Sequence, residues 1–364
     1  MNRLIYVSNS IIPSQTANSL HVMKMCNGFS LNQYDVTLLA KTNSASEKET
    51  KIFEIYNVPQ TFNLYLSKLG RLPIHSLFIS LVIFPLKIFT LKDSNDFIYS
   101  RNRHTSFILS LMGLKQYYEM HGIPKSKVQL LMDKFIVRNK NTVKLITISE
   151  CLKLDVCKTL GVDIKKVTVL HDGADVIDID SIQIIKLLGN KKVNLGYVGS
   201  LLEGKGVDLI CEAALLLPDI GFHIIGGTRK QIGELNKHYI SANNLFFYGY
   251  KEQDDVQRYI KSFDAVILPN KKNVITSNGE DIGRYTSPLK MFEYLSFNKL
   301  IISANLEVLQ EVLSDKEAKF FNESSITSLV NIIKGLGDIV PTEGAKLIES
   351  KFSWQLRAKS AVNS

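Results

Sequence analysis

The stretch Val193-Asn-Leu-Gly-Tyr-Val198-Gly-Ser-Leu-Leu-Glu-Gly-Lys205-Gly206, followed by the apolar run Val207–Leu217, decides the fold. A short apolar strand ends in a glycine-bearing loop, and helical spacing begins directly after it. The rhythm then repeats as strand Phe222–Ile225, helix Lys230–Tyr239, strand Leu245–Tyr248, helix Asp254–Ser262 and strand Ala265–Leu268. Strands and helices alternating at this spacing specify a mostly parallel sheet covered on both faces.

The same rhythm precedes this stretch. Leu4–Val7, Tyr34–Ala40, Phe97–Tyr99, Lys115–Glu119, Leu145–Ile148 and Val167–Leu170 read as short strands, and the segment from Asn18 to Leu31 has helical spacing. A chain of 364 residues exceeds the size at which one core stops growing. The expectation is two Rossmann-like units, residues 1–175 and 190–350, joined by the polar and aliphatic stretch Asp172–Lys192 and facing each other across a cleft. Ligands of such sheets bind outside the carboxyl ends of the strands, so the loops there hold the candidate chemistry.

Three loops stand out. Gly199 to Gly206 precedes a helix, and Lys205 adds a full positive charge to the partial charge of the helix N-terminus, which suits a diphosphate. Glycines at a strand–helix turn are also common for purely structural reasons. Gly226-Gly227-Thr228 permits close backbone approach, but no GxGxxG or GxxxxGK[ST] spacing is met. The third segment is Arg284-Tyr-Thr-Ser-Pro-Leu-Lys-Met-Phe-Glu-Tyr-Leu-Ser-Phe297. Ser287 reads as an N-cap, Pro288 as the first helical residue, and Lys290 and Glu293 share a helix face. The bland alternative for that pair is a surface ion pair. The functional one is a phosphate at the helix start and a ribose against Glu293.

With these residues in view, the chain resembles the family-4 group of retaining glycosyltransferases with the GT-B fold, in particular bacterial members that build surface polysaccharides. The resemblance rests on Ile12-Pro-Ser-Gln-Thr-Ala-Asn-Ser-Leu-His-Val-Met-Lys-Met-Cys26, Tyr99-Ser-Arg-Asn102, Tyr118-Glu-Met-His-Gly122, Ile146-Thr-Ile-Ser149 and His171-Asp-Gly-Ala-Asp175. It rests further on Gly196–Gly206 and, most specifically, on Ser287-Pro-Leu-Lys-Met-Phe-Glu-Tyr294. Phe352-Ser-Trp354 resembles the start of a C-terminal helix, residues 351–364, that crosses back to the first domain.

The resemblance implies roles. Residues 1–175 would bind the acceptor and 190–350 the nucleotide sugar. Lys205, Lys290 and the backbone of Ser287, Pro288 and Leu289 would hold the diphosphate, with Gly199, Gly226 and Gly227 close to the nucleotide. Glu293 would hold the ribose, and Tyr250 and Lys251 would line the base. His121 would reach the transferred sugar as the catalytic contact, with Asn18, His21, Arg101 and Gly173 in the acceptor region. Lysines and a helix start preorganised around the departing diphosphate stabilise the charge that gathers there, so no metal and no cofactor is expected. Asp178-Ile-Asp180 is a literal D-x-D but reads as solvated linker. The family's first glutamate falls at Tyr285 here. Glu280, Asp281 or Arg284 would then define the donor-sugar pocket together with Tyr285. Ser200 stands where an arginine is common, so Lys205 carries more of the phosphate charge, or Arg284 or Arg101 shares it.

Charge and cysteines bound the partners. Residues 1–171 hold 22 Lys and Arg against 11 Asp and Glu, which concentrates the whole basic excess in the first half. No helix-turn-helix, zinc-finger or RNP pattern accompanies it, so nucleic acid is not expected and an anionic membrane surface is. The segment Leu72–Leu86, interrupted by Pro85 and followed by Lys87, is either a buried core helix or an apolar surface at a membrane interface. Cys26, Cys151, Cys157 and Cys211 show no metal spacing, and no signal-peptide pattern opens the sequence. The expectation is a cytoplasmic enzyme, peripheral on the inner membrane face, moving a sugar from a UDP- or GDP-sugar to a lipid-linked glycan. The alternatives are an inactive transferase-like subunit that binds a membrane or partner, and a UDP-sugar 2-epimerase.

Overall fold

The computed structural model describes residues 2–43, 48–93, 96–189, 191–275, 281 and 283–363. The chain divides into two compact units, Met1–Asp172 with Ser353–Ser364, and Gly173–Phe352.

The first unit is built on seven parallel strands: β1 (Arg3–Ile11), β2 (Asp35–Thr42), β3 (Asn63–Lys68), β4 (Phe97–Ser100), β5 (Gln116–Met120), β6 (Thr142–Thr147) and β7 (Val167–Val169). Their order is β3-β2-β1-β4-β5-β6-β7. The second has six: β8 (Val193–Val198), β9 (Ile220–Ile225), β10 (Leu245–Gly249), β11 (Ala265–Leu268), β12 (Leu300–Ala304) and β13 (Ala318–Phe321), ordered β10-β9-β8-β11-β12-β13. Both are doubly wound. The strand order reverses at β1/β4 in one and β8/β11 in the other, and loops diverging at such a switch point open a ligand crevice. The central strands read as continuous apolar runs because helices cover both faces. Leu195, Tyr197, Phe222, Ile224, Ala265 and Ile267 are all at most 1% exposed.

The last helix, Trp354–Val362, belongs to the first unit and packs on the first helix, Ala17–Leu31. Gly28 makes that contact close: a Cβ there would lie 2.5 Å from the Trp354 carbonyl oxygen. Ser353 caps the helix by accepting from the Leu356 amide at 3.3 Å. The stretch after Asp172 groups with the second unit. There Lys261 donates to the carbonyls of Ile179 and Ile182 at 2.8 and 2.6 Å, and the Asp180 amide donates to Asp178 at 3.2 Å, so Asp178-Ile-Asp180 is a stapled turn.

The apolar segment of the first unit has a feature of each alternative, a core side and an exposed apolar side. Pro73–Phe78, a π turn Ile79–Ile83 and Phe84–Leu91 form one continuous helical stretch that runs through Pro85. A proline lacks the donor N–H and its ring crowds the carbonyl four residues back. The wider π turn just before it provides the room. The stretch is core on one side and exposed on the other: Phe84 and Ile88 are fully buried, whereas Ile74 and Phe89 are 67% and 68% exposed. All four cysteines are unpaired, and Cys26, Cys151 and Cys211 are buried.

Candidate functional sites in the two units

In the second unit, the carboxyl ends of β8 and β9 and the start of the helix Leu289–Ser296 come together. Gly199 follows β8 with φ +146°, and a Cβ there would stand 3.2 Å from Lys290 Nζ. Gly226 follows β9 with φ +119°, where a side chain would drive into the Gly199 carbonyl oxygen at 2.0 Å, and its amide donates to Gly249 at 2.7 Å. Gly227 lies beside Leu201 at the cap of the next helix. Lys205 closes the turn that leads into helix Val207–Leu216, with its amide donating to the Leu202 carbonyl at 3.1 Å.

The helix Leu289–Ser296 begins one residue later than its sequence suggests. Pro288, expected at the first helical position behind a Ser287 cap, is itself the N-cap, with extended ψ of 118°, and its carbonyl accepts the first helical bond from Met291 at 2.9 Å. The helix is anchored by Tyr294, whose buried hydroxyl accepts from the Val198 amide at the end of β8, 2.8 Å away. That bond carries Lys290 to the strand end. Its ammonium lies 3.9 Å above the Tyr197 ring, and Tyr197 in turn donates to the Ser200 carbonyl at 2.8 Å, fixing the loop.

Lys290 Nζ is buried without a hydrogen-bond partner among the described residues. It is not the plain surface ion pair of the bland alternative. Burial holds its pKa well below the ordinary lysine value, the neighbouring charge of Lys205 lowers it further, and Glu293 opposes both. Burial also lowers Lys205. Two lysine side chains thus lie within electrostatic reach of each other in buried positions, and each charged form disfavours the other. Glu293 accepts from Gln253 Nε2 at 2.9 Å, a residue whose helix start had no assigned role in the sequence. Tyr250 is 55% exposed beyond β10, and Lys251 stacks over Tyr259 at 5.9 Å.

The donor-sugar candidates separate. Glu280 lies outside the described residues. Asp281 is committed to its own loop: Oδ1 accepts from the amides of Val274 and Gly283, both at 2.9 Å, and Oδ2 from Asn273 at 2.5 Å. These donors, Gly283 first, lower its pKa. It is thereby a turn staple. Arg284 and Tyr285 sit in the 3-10 turn Gly283–Tyr285 that leads to the helix.

In the first unit, a buried carboxylate organises the residues expected in the acceptor region. Glu119, at the end of β5, is fully buried in its side chain. Its Oε1 meets His121 Nε2 at 2.5 Å, Arg101 Nε at 3.4 Å and His21 Nε2 at 3.4 Å. Its Oε2 meets Arg357 of the last helix at 3.1 Å and accepts from Tyr99. His21 Nδ1 lies 2.8 Å from Asp172. Arg357 was not foreseen. It also donates to the His171 and Leu170 carbonyls at 2.8 and 3.1 Å. Burial opposes the ionised Glu119, but Arg357 and then His121 hold its carboxyl well below the usual range. Trp354 packs edge-on against His21, with ring centroids 5.2 Å apart.

This network fixes the state of His121. Arg101 can only donate, so the 3.1 Å contact makes His121 Nδ1 the acceptor and leaves Nε2–H to donate to Glu119. Burial and then Arg101 push its pKa down to about 4, so the ring is neutral at pH 7. Asn18, in the first turn of the first helix, accepts from Arg101 at 3.0 Å and donates to Ser10 at 2.7 Å. Gly173 is buried and groups with the second unit. His21, Glu119 and His121 lie close enough to share a metal ion, but two guanidinium groups already compensate that carboxylate, which disfavours a cation.

Comparison with known proteins agrees with this architecture. Residues 178–336 match the family described as glycosyl transferases group 1. Over 120 residues the chain is 26% identical to TuaH of Bacillus subtilis (strain 168), described as a teichuronic acid biosynthesis glycosyltransferase; the match covers 33% of this chain and 28% of TuaH. Among solved structures, the apo form of the lipopolysaccharide outer core galactosyltransferase WaaB is 12% identical with TM-score 0.67, covering 99% of both chains. Anabaena HepE in complex with UDP-glucose is 13% identical with TM-score 0.68, covering 99% of this chain and 98% of the other. Residues 178–336 are thus similar to group 1 glycosyl transferases, in a chain whose two parallel-sheet α/β units share the fold of the solved GT-B glycosyltransferases.

Proposed function

We propose that the protein transfers a sugar from a nucleoside-diphosphate sugar to a glycan acceptor in surface polysaccharide synthesis, with retention of configuration. One observation carries this: the buried Lys290 ammonium, without a hydrogen-bond partner among the described residues, beside Lys205, at the start of a helix and against a glycine backbone. A diphosphate brings the negative charge that this pocket lacks. As the glycosidic bond breaks, further charge gathers on the leaving phosphate, and the two lysines with the helix amides stabilise it. These groups occupy the role that a metal ion plays elsewhere, so the transfer is proposed to run without one. Glu293, steadied by Gln253, accepts from the ribose hydroxyls.

His121 serves as an acceptor rather than an acid. Its Nδ1 lone pair is engaged by Arg101, and a hydroxyl of a sugar substrate is proposed to take that place. A lipid-linked acceptor at the inner membrane face is proposed on the basic charge of the first half. The names of TuaH and WaaB, both tied to surface glycans, support the substrate class, and UDP-glucose in HepE supports the donor class.

Calorimetry with UDP and GDP, followed by a mass-tagged nucleotide-sugar screen against a membrane extract, tests this. Saturable binding of one nucleotide and release of nucleoside diphosphate are expected. Binding by neither, together with no product from any common donor, would leave the inactive-subunit alternative.

A further inference from the structure

We propose that one outer face of the first unit, formed by the helical stretch 73–91 and the helix Lys127–Arg138, docks on an anionic lipid bilayer. Ile74, Phe78, Val82, Leu86 and Phe89 recur every three to four residues along the stretch and are 36% to 68% exposed. The opposite side, through Ile79, Phe84 and Ile88, packs in a core cluster with Ile5, Val7 and Leu39. Ile74–Leu91 is long and apolar enough to cross a membrane, with mean hydropathy 1.9. That packed side shows that it lies along the protein instead. An apolar face kept in water by a helix with a buried back has the form of an interfacial helix.

A second helix extends the face. Val128, Leu131 and Phe135 on Lys127–Arg138 are 66%, 68% and 40% exposed. Both elements pack on the helix Arg103–Leu111 between them, and Phe135 meets Phe107 of that helix edge-on at 5.3 Å. Successive right-handed crossovers from β3 through β6 put all three on one side of the sheet.

Charge names the occupant. The stretch 73–91 holds no acidic residue, carries Lys87, and is flanked by Lys68, Arg71 and Lys92. On Lys127–Arg138 the only acid, Asp133, is buried against Arg103 at 2.8 Å, leaving Lys127, Lys134 and Arg138. Two copies of this face would oppose like charges, whereas an anionic leaflet attracts them while taking up the apolar side chains.

The inference goes beyond the proposed transfer, and its test does not read activity, so the two fail separately. The full chain is sedimented with phosphatidylcholine vesicles with and without phosphatidylglycerol, at low and high salt. Binding at least about tenfold tighter with the anionic lipid is expected, weakening with salt. Phe78→Glu with Phe89→Glu should weaken it about tenfold or more at an unchanged unfolding midpoint. In Phe89→Trp, the new fluorescence should shift to the blue on vesicles, over the constant background of buried Trp354. No binding to anionic vesicles, an unshifted Phe89→Trp spectrum, or a dimer in solution that the Phe78 and Phe89 substitutions abolish would overturn the proposal.

Discussion

Two buried charge clusters, one in each unit, are built on opposite plans. Around Glu119 every major charge is answered: two arginines, two histidines and a tyrosine surround one carboxylate. Around Lys290 the charge meets no hydrogen bond among the described residues, and the charge of Lys205 opposes it. The first plan yields a rigid scaffold that sets the protonation of His121. The second leaves a positive charge without a hydrogen bond, which the proposed diphosphate would fill. Polar residues buried in a fold are therefore not equivalent signs of function, and what distinguishes them is whether the protein itself completes them.

The comparison breaks most readily at Arg357. Arg357→Ala leaves Glu119 short of its main countercharge and should cost about 3–5 kcal/mol of stability by denaturant unfolding. Glu119→Gln combined with Arg357→Gln should cost less than the sum of the two single changes. Lys290→Met should act in the opposite sense. Nucleotide affinity should fall by about 2–3 kcal/mol in calorimetry, while the unfolding midpoint stays level or rises because repulsion with Lys205 is removed. A fall in both would mean that Lys290 belongs to the scaffold plan.

Acid sharpens the contrast. His121 and His223 are both pushed down to about 4, in each case chiefly by burial. The unfolded chain, with histidines near 6.5, takes up protons first as the pH drops. Stability is then fully present above about pH 6.5 and falls by about 3 kcal/mol for each ring as the pH approaches 4. A flat profile over that window would show that neither ring is held neutral. Gly28→Ala should cost about 1–3 kcal/mol, because its Cβ would meet backbone rather than a movable side chain. The smallest effect is expected at Asp281→Asn, within about 1 kcal/mol, with nucleotide affinity unchanged if this carboxylate only closes its loop.

Much of the fold was legible because its central strands are apolar on both faces and its helices are punctuated. Ala265–Leu268 and Val193–Val198 match β11 and β8 residue for residue, and Asn298 adopts φ +53° just past the helix end. Strands β3 and β13, which no apolar run announced, both lie at sheet edges. An edge strand such as Asn63–Lys68 has partial burial and carries no continuous apolar run. The Ser287–Glu293 segment announced Lys290, but not why it matters. The missing partner is a property of packing, visible only once Tyr294 ties the helix to β8. Arg357 had no signal at all, since it stands 238 positions from Glu119 and belongs to no motif. His121 was singled out by its place in the order of motifs, and the structure shows the neighbours that keep it neutral.

The placement of Trp354 and Arg357 has a consequence for synthesis. Residues 353–363 leave the ribosome about 180 residues behind Asp172, a delay on the order of 10–40 s at ~5–20 residues per second. Throughout that interval the nascent first unit holds Glu119 and Asp172 without the guanidinium that compensates them, and the first helix without its cover over Gly28. The unit that is made first is completed last, after the second unit has emerged in full.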